Sequence, residues 1–135
     1  MYPIGSIASS GMAVAARRAE VAAENIVNMR STTAAQTNPV TASLAAAAYQ
    51  PKKVEQTSVA AGGVRARVVT VSPSHYTAFD PSDPSANADG LVSVPNIDLG
   101  EQLVQLQSAT HAYRANAAML RTADEMAETL LDIKS

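Results

Sequence analysis

The sequence predicts a mainly α protein with a small β part. Long N- and C-terminal helices form a coiled-coil core, and a short β-hairpin and loop region lies in the middle. Three observations carry this expectation. Apolar residues recur at spacings of three and four at both ends of the 135-residue chain, the helical period. Six of the seven prolines fall between Pro39 and Pro95, so the middle is organised differently from the ends. One stretch in that middle, "GGVRARVVTV", alternates and is rich in β-branched residues, as strands are.

The first element spans residues 4–29, "IGSIASSGMAVAARRAEVAAENIVNM". One row is Ala8, Met12, Ala15, Ala19, Ala22, Ile26 and Met29, and its neighbour is Ile4, Ile7, Gly11, Val14 and Val21. Together they make a broad apolar stripe with small residues in its middle, and Arg17, Glu20 and Glu24 lie off it. Gly11 costs about 1 kcal/mol in a helix interior relative to alanine. It is either a tolerated glycine or the place where a neighbouring backbone comes close.

Residues 31–48 are small and polar, a loop with room for a short helix at its alanine end. "KKVEQTSVAA" before the glycine pair is a weaker partner strand for Gly62–Val71, completing a hairpin. "FDPSDPSANADG" is loop by composition, and "LVSVP" is a further short strand ended by Pro95.

The last helix covers residues 98–134, about 55 Å at 1.5 Å per residue. Asp98 is the candidate N-cap with Glu101 three residues on, a capping-box spacing. One row runs through Leu99, Leu103, Leu106, Thr110, Tyr113, Ala117, Leu120, Asp124, Ala127 and Leu131; a second joins it late with Met119, Ala123, Met126, Leu130 and Ile133. One neighbouring helix covers only a narrow seam of such a surface. The terminal helices are therefore short of partners in the monomer. The domain division that follows is a discontinuous helical core, 1–30 with 98–135, and a loop and small β region, 31–97. The candidate helix-packing and assembly residues are Ile7, Gly11, Met12, Val14, Ala19, Ala22, Ile26 and Met29 in the first helix. In the last they are Leu99, Leu103, Leu106, Tyr113, Asn116, Leu120, Met126, Leu130, Leu131 and Ile133.

Composition narrows the function classes. Hydrophobic residues are 47% of the chain but aromatics only 4%, so much of the apolar content is alanine and one chain builds a thin core. The net charge of −2 leaves no global basic footprint for nucleic acid. Residues 1–79 carry seven Lys/Arg against three Asp/Glu, and residues 80–135 three against nine, which favours pairing of the two halves within or between chains. Cysteine is absent, excluding disulfides and thiolate metal sites. No secretory signal peptide and no transmembrane run is legible. His75 and His111 are lone histidines, expected to be solvated or on a helix surface, and Asp124, Glu125, Glu128 and Asp132 are expected to form a solvated acidic face. "SSG" at Ser9–Gly11 has no base beside it, and "GGVRAR" puts two arginines on one strand face without interleaved aromatics. No catalytic residue, metal site or cofactor is expected.

Both ends together resemble the rod proteins of the bacterial flagellar basal body. "SSGMAVAARRAEVAAENIVN" is similar to the family's N-terminal pattern, with its small SG step, Ala-rich helix and N-I/L-x-N ending. The last helix carries the Tyr-x-Ala-Asn step at Tyr113, Ala115 and Asn116. In the middle, Phe79, Pro81, Pro84, Ala86, Gly90, Val92, Pro95, Asn96, Ile97 and Asp98 match the pattern of the short C-type proximal rod subunit. The resemblance implies a structural subunit of the hollow proximal rod, assembling helically through its terminal helices, with no enzymatic activity and no cofactor. Its implied partners are itself, other rod subunits, basal-body ring and adaptor proteins and the flagellar type III export apparatus. Its implied place is the periplasmic part of the basal body, reached without a cleaved signal. The alternative from another class is a soluble coiled-coil binding module such as a secretion chaperone, against which the β segment and Pro-rich loop argue.

Overall fold

The computed structural model describes residues 4–35 and 48–134. In chain order the elements are α1 (Ile4–Asn28), β1 (Thr33–Ala34), β2 (Lys52–Ser58), β3 (Val64–Thr70), β4 (His75–Phe79), β5 (Leu91–Pro95) and α2 (Leu99–Lys134). The possible short helix at the alanine end of residues 31–48 lies outside the described residues.

The two helices pack antiparallel. A Cβ on Gly5 would touch Leu120 and one on Gly11 would meet Asn116, while Arg18 reaches Gln105 and Asn25 reaches Gln102. Moving up α1 therefore means moving down α2. This register places α1's first described turn beside residue 120 or so, and α2 runs on beyond it. The start of α2 is capped as its sequence suggests: the Asp98 carboxylate accepts from the Glu101 amide at 3.0 Å.

Between the helices the chain makes two small antiparallel sheets. Strands β2 and β3 form a hairpin in which Lys52 faces Thr70 and Ser58 faces Val64. Its turn needs Gly62 and Gly63, whose φ values of 88° and 90° other residues rarely adopt. The hairpin lies along α1. The second sheet has the order β1-β5-β4, with Thr33 opposite Ser93 and His75 opposite Pro95. Val92, at its centre, is 1% exposed.

Two parts of this sheet differ from the sequence reading. Strand β4 is absent from it, because "HYTAF" is short and has no flanking turn glycine. It becomes a strand only by pairing with β5. Likewise Thr33–Ala34 sits in a stretch that reads as loop and is drawn into pairing by the edge of β5. His75 is consequently not a solvated histidine. It is half-buried on β4, its Nδ1 is 2.9 Å from the Ser74 hydroxyl, and its Nε2 is buried with no hydrogen-bond partner among the described residues. His111 is exposed on α2, as expected.

The loop between β4 and β5 is held by its own side chains. Asp80 accepts from the Ser82 amide and hydroxyl, Asp83 from the Ser85 amide and the Thr32 hydroxyl, and Asn87 from the Asp89 and Leu91 amides. Gly90 closes it at φ 72°, and a Cβ there would come within 3.1 Å of both Phe79 and Pro81. The matched Phe, Pro and Gly positions thus form one contact.

Candidate assembly surface

The seam between α1 and α2 is filled by small side chains. Ala8, Val14, Ala15, Val21 and Ala22 of α1 and Ala109 of α2 are all buried, at 4% exposure or less. Small residues let the helix backbones approach closely, and Gly11 is the extreme case. A Cβ there would lie 2.6–2.8 Å from the Asn116 amide group, so the glycine makes room for the Tyr-x-Ala-Asn asparagine. Of the two sequence readings of Gly11, the close-approach one describes it, although a side chain rather than a backbone does the approaching.

Asn25 joins three parts of the molecule. It is 1% exposed, and its amide nitrogen donates to the Lys52 carbonyl at 2.7 Å and to Gln102 Oε1 at 2.9 Å. Its amide oxygen accepts from the Lys52 amide at 3.1 Å and from the Tyr49 hydroxyl at 2.7 Å. Asn25 therefore pairs with the outer edge of β2 much as a strand would, and ties that edge to both helices. Beside it, Lys52 donates to Glu24 at 2.9 Å, and this carboxylate raises the Lys52 pKa above its ordinary value. Burial raises the Tyr49 hydroxyl, against the opposing pull of the Lys52 charge. At the other end of the hairpin, Ser10 Oγ accepts from the Val64 amide at 3.2 Å and donates to the Ile7 carbonyl. A Cβ on Gly63 would lie 2.5 Å from that hydroxyl. The serine of the "SSG" step thus anchors the hairpin turn to α1.

The sequence-selected residues divide into two groups. Val14 and Ala22 are buried in the seam; Gly11, Met12, Ala19, Ile26, Met29, Leu106, Asn116 and Leu120 are half-buried. Ile7, Leu99, Leu103, Tyr113, Met126, Leu130, Leu131 and Ile133 are exposed. The α2 row that looks strongest in sequence, Leu99, Leu103, Leu106 and Tyr113, is not the one turned to α1. The seam runs through Gln102, Gln105, Ala109, Ala112 and Asn116, a quarter-turn or so around the helix. Of these, sequence reasoning selected Asn116 and passed over the other four, two glutamines and two alanines. The glutamines fit because each meets a polar α1 partner: Arg18 donates to Gln105 at 2.7 Å and Asn25 to Gln102.

The large side chains are thereby left outward. Leu103 is 50% exposed, and Leu130, Leu131 and Ile133, on the part of α2 that overhangs α1, are 68–77% exposed. Exposed apolar runs of this size mark interaction surfaces. The cleft between α1, α2 and β2 is lined by amides and charges, among them Arg18, Lys53, Asp98 and Glu101, with no hydroxyl–histidine pair. Among the described residues no group of three His, Cys, Asp or Glu could hold a metal ion, and no helix is long and apolar enough to cross a membrane.

Residues 88–133, which span β5 and α2, match the family described as "Flagellar basal body rod FlgEFG protein C-terminal". Over 91% of its length the chain is 32% identical to the flagellar basal-body rod protein FlgC of Salmonella typhimurium, of which it covers 90%. It is 29% identical to FlgC of Bacillus subtilis over 95% of the chain and 94% of that protein. With FlgC of Agrobacterium fabrum the identity is 27% over 94% of the chain and 90% of the relative. The matches to these relatives span nine-tenths or more of the chain, which belongs to the FlgC family of flagellar basal-body rod proteins.

Proposed function

We propose that the chain is a structural subunit of the proximal flagellar rod, incorporated through the outward faces of its terminal helices. The observation that carries this is the mismatch between size and burial on α2: small residues fill the intrachain seam while Leu99, Leu103, Tyr113 and the Leu130–Ile133 end stay exposed. In a lone chain that arrangement wastes apolar area worth roughly 1.5–3 kcal/mol per large side chain. In a stack, terminal helices of neighbouring subunits cover it, each overhanging α2 end packing in coiled-coil fashion between helices of adjacent subunits. Residues 1–30 and 98–135 then form the discontinuous core of the stack, with residues 31–97 around it. A helical stack uses heterologous contacts that do not close, which suits a chain whose uncovered surfaces are unlike one another.

The reading includes export through the flagellar type III apparatus, a periplasmic place in the basal body, and contact with other rod subunits and with ring and adaptor proteins. It gives the chain no catalytic role. The test is a deletion strain complemented with the wild-type gene or with Leu103→Ser. Deletion is expected to stop assembly before the distal rod, and Leu103→Ser to be exported yet fail to restore rods. Motile cells after deletion would overturn the reading.

A further inference from the structure

The two arginines of "GGVRAR" make no side-chain hydrogen bond among the described residues. Arg65 and Arg67 are exposed on β3, on the face that also carries Thr57 and Glu55 of β2. Neither arginine has an ion-pair partner among the described residues, and Glu55 is 3.5 Å from Lys53 instead. The outer face of the hairpin holds Lys53, Arg65 and Arg67 against Glu55 alone, while Lys52 is on the other face and pairs with Glu24, so the outer face is positive.

The overhanging end of α2 has the opposite character. Asp124 and Glu128 lie one turn apart on one side of it, opposite Met126 and Ile133, and neither has an ion-pair partner among the described residues. The spacings agree. Residues two apart on a strand are about 6.6 Å apart, and residues four apart on a helix rise about 6 Å. The chain cannot make this match with itself. Ser10 fixes the hairpin turn level with Gly11 and hence with Asn116 of α2. Asp124 lies about 12 Å further along the axis, and β3 runs from the turn in the other direction.

We propose that the Arg65–Arg67 face of one copy receives the acidic side of the α2 end of a second copy, Arg65 facing Asp124 and Arg67 facing Glu128. Arginine–carboxylate pairs are directional, and complementary charge fixes orientation more than affinity. The contact therefore sets the register of copies while the apolar side of the same α2 end supplies adhesion. It rests on the rod-subunit reading, deepening it by naming the surfaces.

The experiment complements a deletion strain with charge-reversed genes and scores motility and rod assembly at equal secreted amounts. Arg65→Glu with Arg67→Glu, and separately Asp124→Arg with Glu128→Arg, are expected to abolish swimming; the four changes together are expected to restore it. Swimming by either pair variant, or failure of the combined variant to swim better than the pairs, overturns the docking. As a second readout, Arg65→Cys with Asp124→Cys in this cysteine-free chain is expected to give a ladder of multiples of one chain on oxidation of isolated basal bodies. No ladder, or a cross-link to a different rod protein only, overturns the second copy as the occupant. The unmodified deletion strain is the control: if it swims, the rod reading itself has failed; if it does not swim while the reversed variants do, only the docking has.

Discussion

At the scale of single residues, polar groups rather than large apolar ones determine how the parts join. Asn25 uses both ends of its amide on four partners, and its replacement strands the Lys52 backbone in a buried place. Asn25→Ala is expected to destabilise the fold by about 2–3 kcal/mol, from the usual cost of unsatisfied buried groups, seen as a lower midpoint in urea. Gly11→Ala should cost about 1–3 kcal/mol by overpacking against Asn116. Because the clash is with one side chain, Asn116→Ala in the same chain should recover most of that, and additive losses would show that the clash lies elsewhere. Asp83 gives a pH dependence. The Ser85 amide and then the Thr32 hydroxyl hold its carboxyl below the ordinary value. A carboxyl lowered on folding stabilises the folded form above its unfolded pKa, and this is lost as pH falls through the depressed folded value. Acid should therefore loosen the tie between Thr32 and the β4–β5 loop, and Asp83→Asn should remove that acid dependence when amide exchange is followed at Ser85.

At the scale of elements, α2 is two helices in one. Its first two-thirds is buttressed by α1; its end overhangs α1 and carries exposed apolar side chains. Amide exchange in the monomer should therefore be fast over residues 124–134 and slow near Ala109, because local stability follows the density of packed neighbours. Removing residues 129–135 should leave the monomer's unfolding midpoint nearly unchanged, since Leu130, Leu131 and Ile133 are already exposed. The same truncation should leave secretion intact and abolish motility. A large drop in the midpoint would show that the end belongs to the intrachain core; normal motility would show that it belongs to no interface. On α1, Ala22→Leu should be costly, at about 1–3 kcal/mol, because Ala22 is 2% exposed in the seam. Arg17→Ala should be mild, because Arg17 pairs with exposed Glu20 one turn away on the same helix.

At the scale of the whole molecule, the chain divides its apolar side chains by size. Small residues such as Ala15, Ala22, Ala109 and Gly11 close the helix pair, and Leu99, Leu103, Tyr113, Met126, Leu130, Leu131 and Ile133 are turned out. A monomer built this way has a thin core and modest stability, and gains its remaining burial from neighbours. Association should accordingly raise the resistance of α2 to proteolysis far more than that of the hairpin, whose two strands are already paired.

The sequence by itself determined the helices, the hairpin, the cap at Asp98 and, through the motifs at both ends, the rod family. These are local signals: periodicity, a glycine pair that turns the chain, and a carboxylate placed ahead of a helix. It also showed that apolar surface exceeds what one helix partner can cover. The tertiary structure alone decided which side of α2 meets α1. A stripe wider than one seam leaves the helix rotation open, and the choice falls to Asn25–Gln102, Arg18–Gln105 and the Gly11–Asn116 fit, contacts between residues far apart in sequence. The same holds for β1 and β4, which are strands only because β5 lies between them, and for His75, which that sheet draws out of solvent. Periodicity records how much of a helix is apolar; which part faces inward depends on the few polar groups that must find partners once water is excluded.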